Sequence, residues 1–221
     1  MSHSVHPYAH RIGILRDWKS RWFQKKNYAL FLKEDVRTRE WLMKKLRSLM
    51  VSEIHIERSR NTVMIFIKTP RPGLLIGRGG EGIEKLRKEI QAKMKFKELK
   101  VTIEEIKNPY ADAYVVARLV VQDLEKRLPF RRTLKQNIEK VMTSGGVKGV
   151  RIQLSGRLDG SEMSRTEWLR KGLIPLQTLR ADVGFARDTA ILPYGTIGAR
   201  VWIYKGEVFD PEKTGDKTKE K

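Results

Sequence analysis

The stretch TPRPGLLIGRGGEGIEKL, residues 69–86, decides how the surrounding chain folds. Pro72 can open a short helical turn, because its missing N–H and restricted φ suit the first helical position. Glycines between Gly77 and Gly82 then interrupt that turn. A longer helix is predicted from about 81 to 95, since apolar residues recur there at helical spacing. These residues are Ile83, Leu86, Ile90 and Met94.

The segments on either side of this stretch complete a small α+β unit. On the N-terminal side, Asp35 has the character of an N-cap residue and predicts a helix from about 36 to 50. Strands are indicated where β-branched or other apolar residues recur at every second position. They are predicted at 51–58, 61–68 and 99–106. The predicted order of elements is therefore helix, strand, strand, short helix, glycine loop, helix, strand.

The glycine loop fits more than one known pattern. Gly77, Gly79 and Gly82 match G-x-G-x-x-G, but the dinucleotide-binding fingerprint needs its first glycine directly after a strand. Here the strand ends near Lys68, and the segment Thr69–Gly73 intervenes. A phosphate-binding P-loop is excluded because no Gly-Lys-Ser/Thr follows. A flexible turn without a ligand remains the plain alternative.

The pattern that suits the element order best is Gly77-Arg78-Gly79-Gly80, the GxxG loop of a type II KH domain. A turn with little side-chain bulk lets a nucleic-acid backbone approach the main chain closely. N–H groups at the start of the next helix can meet phosphate oxygens, and Arg78 adds a positive charge. Such a loop holds about four nucleotides of a single strand. Gly79–Gly82 is an overlapping GxxG; we favour the first register because Ile76 precedes it and Glu81 suits the first helical turn.

The composition indicates a folded protein whose usual partner is a polyanion. The 221 residues include 46 Lys and Arg against 26 Asp and Glu, a formal net charge of +20, while 40% of residues are apolar. That apolar share can build a core, and the charge favours nucleic acid as the partner, with an anionic membrane second. The absence of cysteine excludes disulfide scaffolds, Cys-ligated zinc and thiol nucleophiles. Neither a membrane-spanning run nor a signal peptide is visible, so we expect a reducing intracellular compartment.

Four segments are predicted along the chain. They are an N-terminal arm at 1–34, the KH domain at 35–107, a second α+β domain at 108–207 and a disordered tail at 208–221. The arm is basic and rich in aromatic residues, which either stack on bases or pin it to the folded body. The second domain begins after Asn108-Pro109. Its predicted elements are helices at about 110–128 and 130–144, strands at 149–155, 180–190 and 196–205, and a short helix that carries Trp168.

A compact group of cations lies where the second of these helices begins. Five basic residues and no acidic one occur there: Lys126, Arg127, Arg131, Arg132 and Lys135. In a helix that starts near Phe130, Arg131 and Lys135 lie one turn apart on one face, whereas apolar residues line another face. The pattern predicts either a phosphate-binding surface or merely a solvated charged one.

Other classes of function lack a credible site. No nucleophile, base and orienting group occur together. The carboxylates that could suggest a metal-dependent nuclease have arginines close by, so ion pairing is the plainer account. They are Asp159, Glu162 and Glu167, with Arg165 and Arg170 beside them. Histidines at 3, 6 and 10 could bind a metal if helical, but Pro7 interrupts them and no carboxylate accompanies them. We predict no enzyme, no cofactor and no metal; a free-standing KH regulator of cellular RNAs remains an alternative.

Motifs along nearly the whole chain resemble the bacterial-type small-subunit ribosomal protein number three, of the universal S-three family. The weaker matches are Val5–Pro7, Arg11–Ile14, Val51–Ile54, Ile56–Arg58 and Arg71–Gly77. The most specific matches are Ser155–Leu158, Arg165–Trp168, Pro175–Leu176, Thr178–Asp182 and Tyr194–Gly198. The resemblance implies an N-terminal arm, a type II KH domain and a C-terminal α+β domain. It also implies a cytoplasmic location in the head of the small ribosomal subunit, on the solvent side.

The resemblance further implies sites and partners. Phe130-Arg131-Arg132-x-x-Lys135 is similar to the segment lining the pore through which messenger RNA (mRNA) enters, where it helps to open messenger duplexes. The implied partners are 16S-type ribosomal RNA (rRNA), messenger RNA, ribosomal proteins ten and fourteen in the head, and ribosomal proteins four and five at the pore. The candidate contacts to ribosomal RNA are Arg11, Arg16, Lys19, Arg21, Lys126 and Arg127. Gly79 stands where the family often has a second basic residue.

Overall fold

The two largest hydrophobic clusters of the described residues lie in different parts of the chain, which divides into two units. A computed structural model describes residues 5–59, 62–94 and 98–209. The central unit comprises residues 18–107, and the terminal unit comprises the described residues on either side of it. The first 34 residues, predicted as one arm, are therefore shared between the two units, with the division after Asp17.

The central unit has the predicted order of elements. After α1 (Pro7–His10) of the terminal unit, its elements are β1 (Ser20–Arg21), α2 (Tyr28–Lys45), β2 (Glu53–Arg58), β3 (Thr62–Thr69), α3 (Pro72–Ile76), α4 (Glu81–Met94) and β4 (Glu98–Glu105). The sheet has the order β1-β2-β3-β4, in which β2 and β3 are antiparallel and β3 and β4 are parallel. Pro72 occupies the start of α3, as the sequence predicts.

Alternation along two neighbouring strands builds the core of the central unit. Ile54 and Ile56 of β2 lie opposite Ile67 and Ile65 of β3, and all four are buried. Side chains two positions apart point to the same face of a sheet, so this pattern buries one face continuously. Side chains of three helices and of the residue that caps α2, Leu46, close that face; the helical ones are Leu42, Leu75, Leu86 and Ile90.

The start of α2 corrects one prediction. Asp35, predicted to cap a helix from about 36, lies inside a helix that begins at Tyr28, and it is fully buried. Its Oδ2 accepts a hydrogen bond from Trp22 Nε1 at 2.7 Å. Its Oδ1 accepts from Nε and Nη2 of Arg58 at 2.8 and 2.5 Å. The carboxylate thus accepts hydrogen bonds from side chains of other segments rather than from helix N–H groups. Local sequence does not reveal these partners.

The terminal unit places two helices on one face of an antiparallel sheet. Its further elements are α5 (Ala113–Glu125), α6 (Phe130–Thr143), β5 (Gly149–Gly156), β6 (Arg165–Gly172), β7 (Ala181–Leu192) and β8 (Gly195–Glu207). The strand order is β6-β5-β8-β7. Val150, Ile152 and Leu154 of β5 are fully buried in the core that these helices cover. Asp112 caps α5, since its Oδ1 accepts from the N–H groups of Tyr114 and Val115.

Trp168 lies on a strand, not on the predicted short helix. β6 pairs antiparallel with β5 from Gly149↔Gly172 to Gly156↔Arg165 and forms one edge of the sheet. Most of its residues are exposed, so β6 lacks the apolar alternation that identifies a half-buried strand. Its pairing with β5, rather than its own pattern, makes it a strand.

Two further predictions, a disordered tail at 208–221 and the lack of a membrane-spanning run, can be compared only with the described residues. Apart from Val208 and Phe209, the predicted tail lies outside the described residues. In the part that is described, no helix combines the length and apolar character needed to cross a bilayer.

Candidate nucleic-acid interface

The glycine loop joins α3 to α4 in the central unit. Gly77 ends α3 with φ +72°, and Gly79 and Gly80 follow with φ +59° and +85°. Side chains with a Cβ disfavour this left-handed region, so glycine suits all three positions. Arg78 is exposed, and Glu81 is the first residue of α4. The loop therefore presents bare backbone and one cation beside the start of a long helix.

Gly82 differs in surroundings from the glycines of the preceding tetrad. A Cβ at Gly82 would lie 2.5 Å from the carbonyl oxygen of Leu75 and 2.9 Å from that of Ile76. This glycine therefore lets α4 pack closely against α3. A Cβ at Gly79 or Gly80 would instead meet no atom within 4 Å. The open backbone is thus at Gly79 and Gly80, which both overlapping tetrads share.

The predicted basic helix presents its cations to solvent in the terminal unit. Arg131, Arg132 and Lys135 are exposed, whereas Phe130 and Leu134 of the same helix are buried. The first turn of α6 contains no acidic residue. Among the described residues, none of the three cations forms an ion pair. Cations near the N-terminus of a helix are repelled by the positive end of its dipole and by one another. An approaching anion relieves both repulsions. The arrangement is suited to binding phosphate.

Arg165 joins this cationic surface from a distant segment. Its guanidinium carbon lies 5.3 Å from the centre of the Phe130 ring, and that of Arg131 lies 5.6 Å from the same ring. The sequence shows Arg165 as part of the motif Arg165–Trp168 and as a neighbour of Glu162 and Glu167. Its place beside α6 follows from the packing of β6 against that helix, which no local pattern reveals.

Arg127 has a strained backbone just before the basic helix. Its φ is +60°, and its N–H donates to the carbonyl of Leu124 at 2.8 Å. It occupies the position after the C-cap of α5, where glycine is usual. We expect Arg127→Gly to raise the free energy of unfolding by about 0.5–1 kcal/mol in a thermal or urea melt. Lys126→Gly is the matched control, because φ at Lys126 is −76° and its replacement should lower stability. A loss of stability in both variants would contradict the prediction.

Arg11, predicted to contact ribosomal RNA, is instead a buried structural residue. Its side chain is fully inaccessible, so a phosphate cannot reach the guanidinium. Burial lowers the pKa of Arg11, an effect that the nearby Asp182 carboxylate opposes. The guanidinium donates hydrogen bonds to the backbone carbonyls of Pro7, Pro175, Leu176, Thr178 and Ala181. It therefore organises the chain that leads into β7.

The other five candidate contacts differ in how free their charge is. Lys126 and Arg127 are exposed. Three others already face a carboxylate: Arg16 with Asp182 at 2.6 Å, Lys19 with Glu53 at 3.6 Å, and Arg21 with Glu57 at 3.2 Å. An ion-paired cation is less available to phosphate, because binding must replace the existing contact.

The residues considered for metal chemistry do not assemble into a site. Within residues 5–59, 62–94 and 98–209, no three His, Asp or Glu side chains converge on a position that could hold a metal ion. Glu167 lies 3.8 Å from Arg165, as the ion-pair reading predicts. His6 Nδ1 accepts a hydrogen bond from the N–H of Ala9, and its ring meets Phe185 edge-on at 4.7 Å. His3 lies outside the described residues.

Comparison with known families gives a match in each unit. Residues 37–111 match the family described as KH domain. Residues 120–203 match the family described as Ribosomal protein S3, C-terminal domain. The KH match contains the glycine loop, and the second match contains the cations of α6.

Similar proteins with the name Small ribosomal subunit protein uS3 match along nearly the whole chain. That of Desulfitobacterium hafniense is 46% identical over 213 residues, which are 96% of each chain. Those of Methylococcus capsulatus and Enterococcus faecalis are each 44% identical, over 220 and 217 residues. These alignments cover 99% and 98% of this chain and 98% and 99% of the relatives.

Proposed function

The chain belongs to the uS3 family of small ribosomal subunit proteins, and we propose that it binds ribosomal RNA in the head of the subunit and lines the pore for incoming messenger RNA. It is a structural ribosomal protein rather than an enzyme, with a KH domain followed by a second α+β domain. The alternative of a free-standing KH regulator is not adopted, because the similarity extends through the second domain.

One observation supports the finer role at the messenger pore. Arg131, Arg132 and Lys135 are exposed together on the first two turns of α6, and no described carboxylate pairs with them. Arginine and lysine bind phosphates without reading base sequence. This suits a surface that must hold every message equally.

The opening of messenger duplexes follows from electrostatics and from the movement of the message. Translocation draws one strand through a pore too narrow for a duplex. Cations at the pore hold the phosphates of the separated strands, so the opened state costs less free energy than it does in water. The protein itself then needs no nucleotide hydrolysis, in keeping with the absence of a P-loop motif.

The KH loop is the second proposed contact with RNA. Gly77, Gly79 and Gly80 offer main chain without side chains, and Arg78 between them provides charge. The N–H groups at the start of α4 are suited to phosphate oxygens, because a helix N-terminus carries partial positive charge. We propose that this loop holds the backbone of a single strand of RNA.

The wider partners are proposed from the family. Ribosomal proteins ten and fourteen are the expected neighbours in the head, and four and five at the pore. Exposed Lys126 and Arg127 are the better candidates for 16S-type ribosomal RNA. Arg16, Lys19 and Arg21 can contribute only where RNA competes with their present carboxylate partners.

The pore role is tested by translation of structured and unstructured messages. Ribosomes with Arg131, Arg132 and Lys135 all changed to alanine should translate a message with a stable hairpin several-fold more slowly than the parent, because the cations no longer hold the opened strands. The rate on an unstructured message should stay close to that of the parent. Elongation can be timed in a reconstituted translation system.

A matched control separates the pore from a general loss of charge. Lys140, Lys171 and Lys205 are exposed cations of the same unit, and changing all three to alanine removes the same charge. Ribosomes with this variant should translate both messages like the parent. If the triple variant of Arg131, Arg132 and Lys135 slows translation of both messages equally, the proposed role in opening duplexes is wrong.

A further inference from the structure

We infer that the sheet face of the terminal unit that is turned away from α5 and α6 is a second RNA-binding surface, on which a base stacks against Trp168 while arginines hold the adjoining phosphates. The inference rests on the proposed function only in taking RNA as the partner. Neither the glycine loop nor α6 contributes to this surface, so its test is separate from theirs.

The register of the four strands brings arginine and aromatic residues together on this face. One row across the sheet contains Arg170, Arg151, Trp202 and Phe185, each opposite the next. The adjacent row contains Trp168, Gln153, Arg200 and Arg187. Residues two apart on a strand share a face, so both rows lie opposite the face that buries Ile152 against the helices.

The described residues cover only part of this face. Phe185 contacts the ring of His6, and Trp202 belongs to a small cluster with Ile174 and Leu176. At the other end, Trp168 is 50% exposed. The exposed part of this ring is a ready surface for stacking.

The uncovered part of the face is strongly cationic. Neither row contains a carboxylate, although four of the eight side chains are arginines. Within the described residues, none of these arginines forms an ion pair. Four unpaired guanidinium groups repel one another, and a polyanion relieves that repulsion. The charge of this face is therefore complementary to RNA.

Arg151 links the charge to the aromatic rings. Its guanidinium carbon lies 4.7 Å from the centre of the Trp168 ring and 5.1 Å from that of Trp202. Arg170 approaches Trp168 at 6.0 Å. Arg151 Nε is buried and has no hydrogen-bond partner in the described structure. Its Nη2 donates a long hydrogen bond of 3.4 Å to Gln153 Oε1, and a phosphate near the outer nitrogens would be a stronger, charged acceptor.

A single RNA strand satisfies these features better than an acidic protein segment. Successive bases stack on exposed aromatic rings whatever their identity, and arginine binds phosphate through two parallel hydrogen bonds. An acidic segment would meet the charge but would leave the exposed indole of Trp168 without a planar partner. The surface thus suits an unpaired nucleotide, as in a loop or bulge of a folded RNA.

The test measures binding of the full chain to a fluorescein-labelled strand of ten uridines and to an abasic strand of the same length. Trp168→Leu should weaken binding of the uridine strand about tenfold and leave binding of the abasic strand unchanged. Trp168→Phe retains an aromatic ring and should stay close to the parent. Arg170→Gln should weaken both strands and reduce the salt dependence of log K by about 0.7, since one phosphate contact is lost.

Two controls make the outcomes decisive. Met163→Ala removes an apolar side chain that is 81% exposed in the loop before β6, and it should leave both affinities unchanged. Thermal melts establish that each variant is folded. If Trp168→Leu binds the uridine strand like the parent, the inference is overturned and a protein neighbour becomes the expected occupant. Equal weakening on both strands also overturns it. The hairpin assay on Arg131, Arg132 and Lys135 is unaffected by either result.

Discussion

Replacing Asp35 with alanine should lower the free energy of unfolding of the central unit by about 3–5 kcal/mol. The carboxylate is fully buried and accepts hydrogen bonds from Trp22 and from two nitrogens of Arg58. Arg58 itself is only 6% exposed. It would keep its contact with Glu34 at 2.8 Å but would lose its principal buried counter-charge. Removing one partner of a buried pair costs more than removing both, because the remaining charge is uncompensated.

The measurement is urea unfolding combined with peptide-resolved hydrogen exchange, which reports on α2 and β2 separately from the terminal unit. Glu40→Ala is the matched control, because Glu40 is an exposed acid of the same helix. The double variant Asp35→Ala with Arg58→Met should be more stable than Asp35→Ala alone. A loss of less than about 1 kcal/mol, the usual value of a surface ion pair, would show that the pair contributes little.

The second large effect is expected at Arg11. Arg11→Met should destabilise the terminal unit by about 2–4 kcal/mol, because several buried carbonyl groups lose a charged donor at once. Its Nε donates to Ala181 at 2.6 Å, and its Nη2 reaches Thr178 at 2.9 Å. Arg11→Lys should not restore stability, since one ammonium cannot reproduce the planar fork of donors.

Thermal unfolding gives the total effect at Arg11, and hydrogen exchange of residues 174–183 locates it. Arg180→Met is the control, because Arg180 is exposed and pairs only at the surface with Glu207. That variant should cost less than about 1 kcal/mol. Equal losses of stability on replacing Arg11 and Arg180 would mean that the buried hydrogen bonds of Arg11 do not stabilise residues 174–183.

Periodic and glycine-rich parts of the sequence predicted the structure well, because their signal is local. The order of elements around Gly77–Gly80 is confirmed, and Glu81 begins α4. The helices predicted after Asn108 are also present, at Ala113–Glu125 and Phe130–Thr143. Alternation at period two and recurrence at three to four residues determine which face is buried, without reference to distant segments.

Predictions from single charged residues were less successful, because a charge acquires its role from neighbours far away in the chain. Asp35 was expected to cap a helix and is buried against Arg58. Arg11 was expected to contact RNA and binds backbone carbonyls instead. Each residue type has both roles in proteins, and only tertiary packing decides between them.

Local patterns were enough to assign the class of this protein: a basic α+β chain with a KH loop, a cationic helix and the motifs of one ribosomal family. Which cations are free of carboxylates depends instead on the fold. It paired Arg16, Lys19 and Arg21, placed Arg165 beside Phe130, and aligned Trp168 with the arginines of the sheet. Net charge is a sum over residues, whereas available charge depends on burial and on which carboxylates the fold brings near.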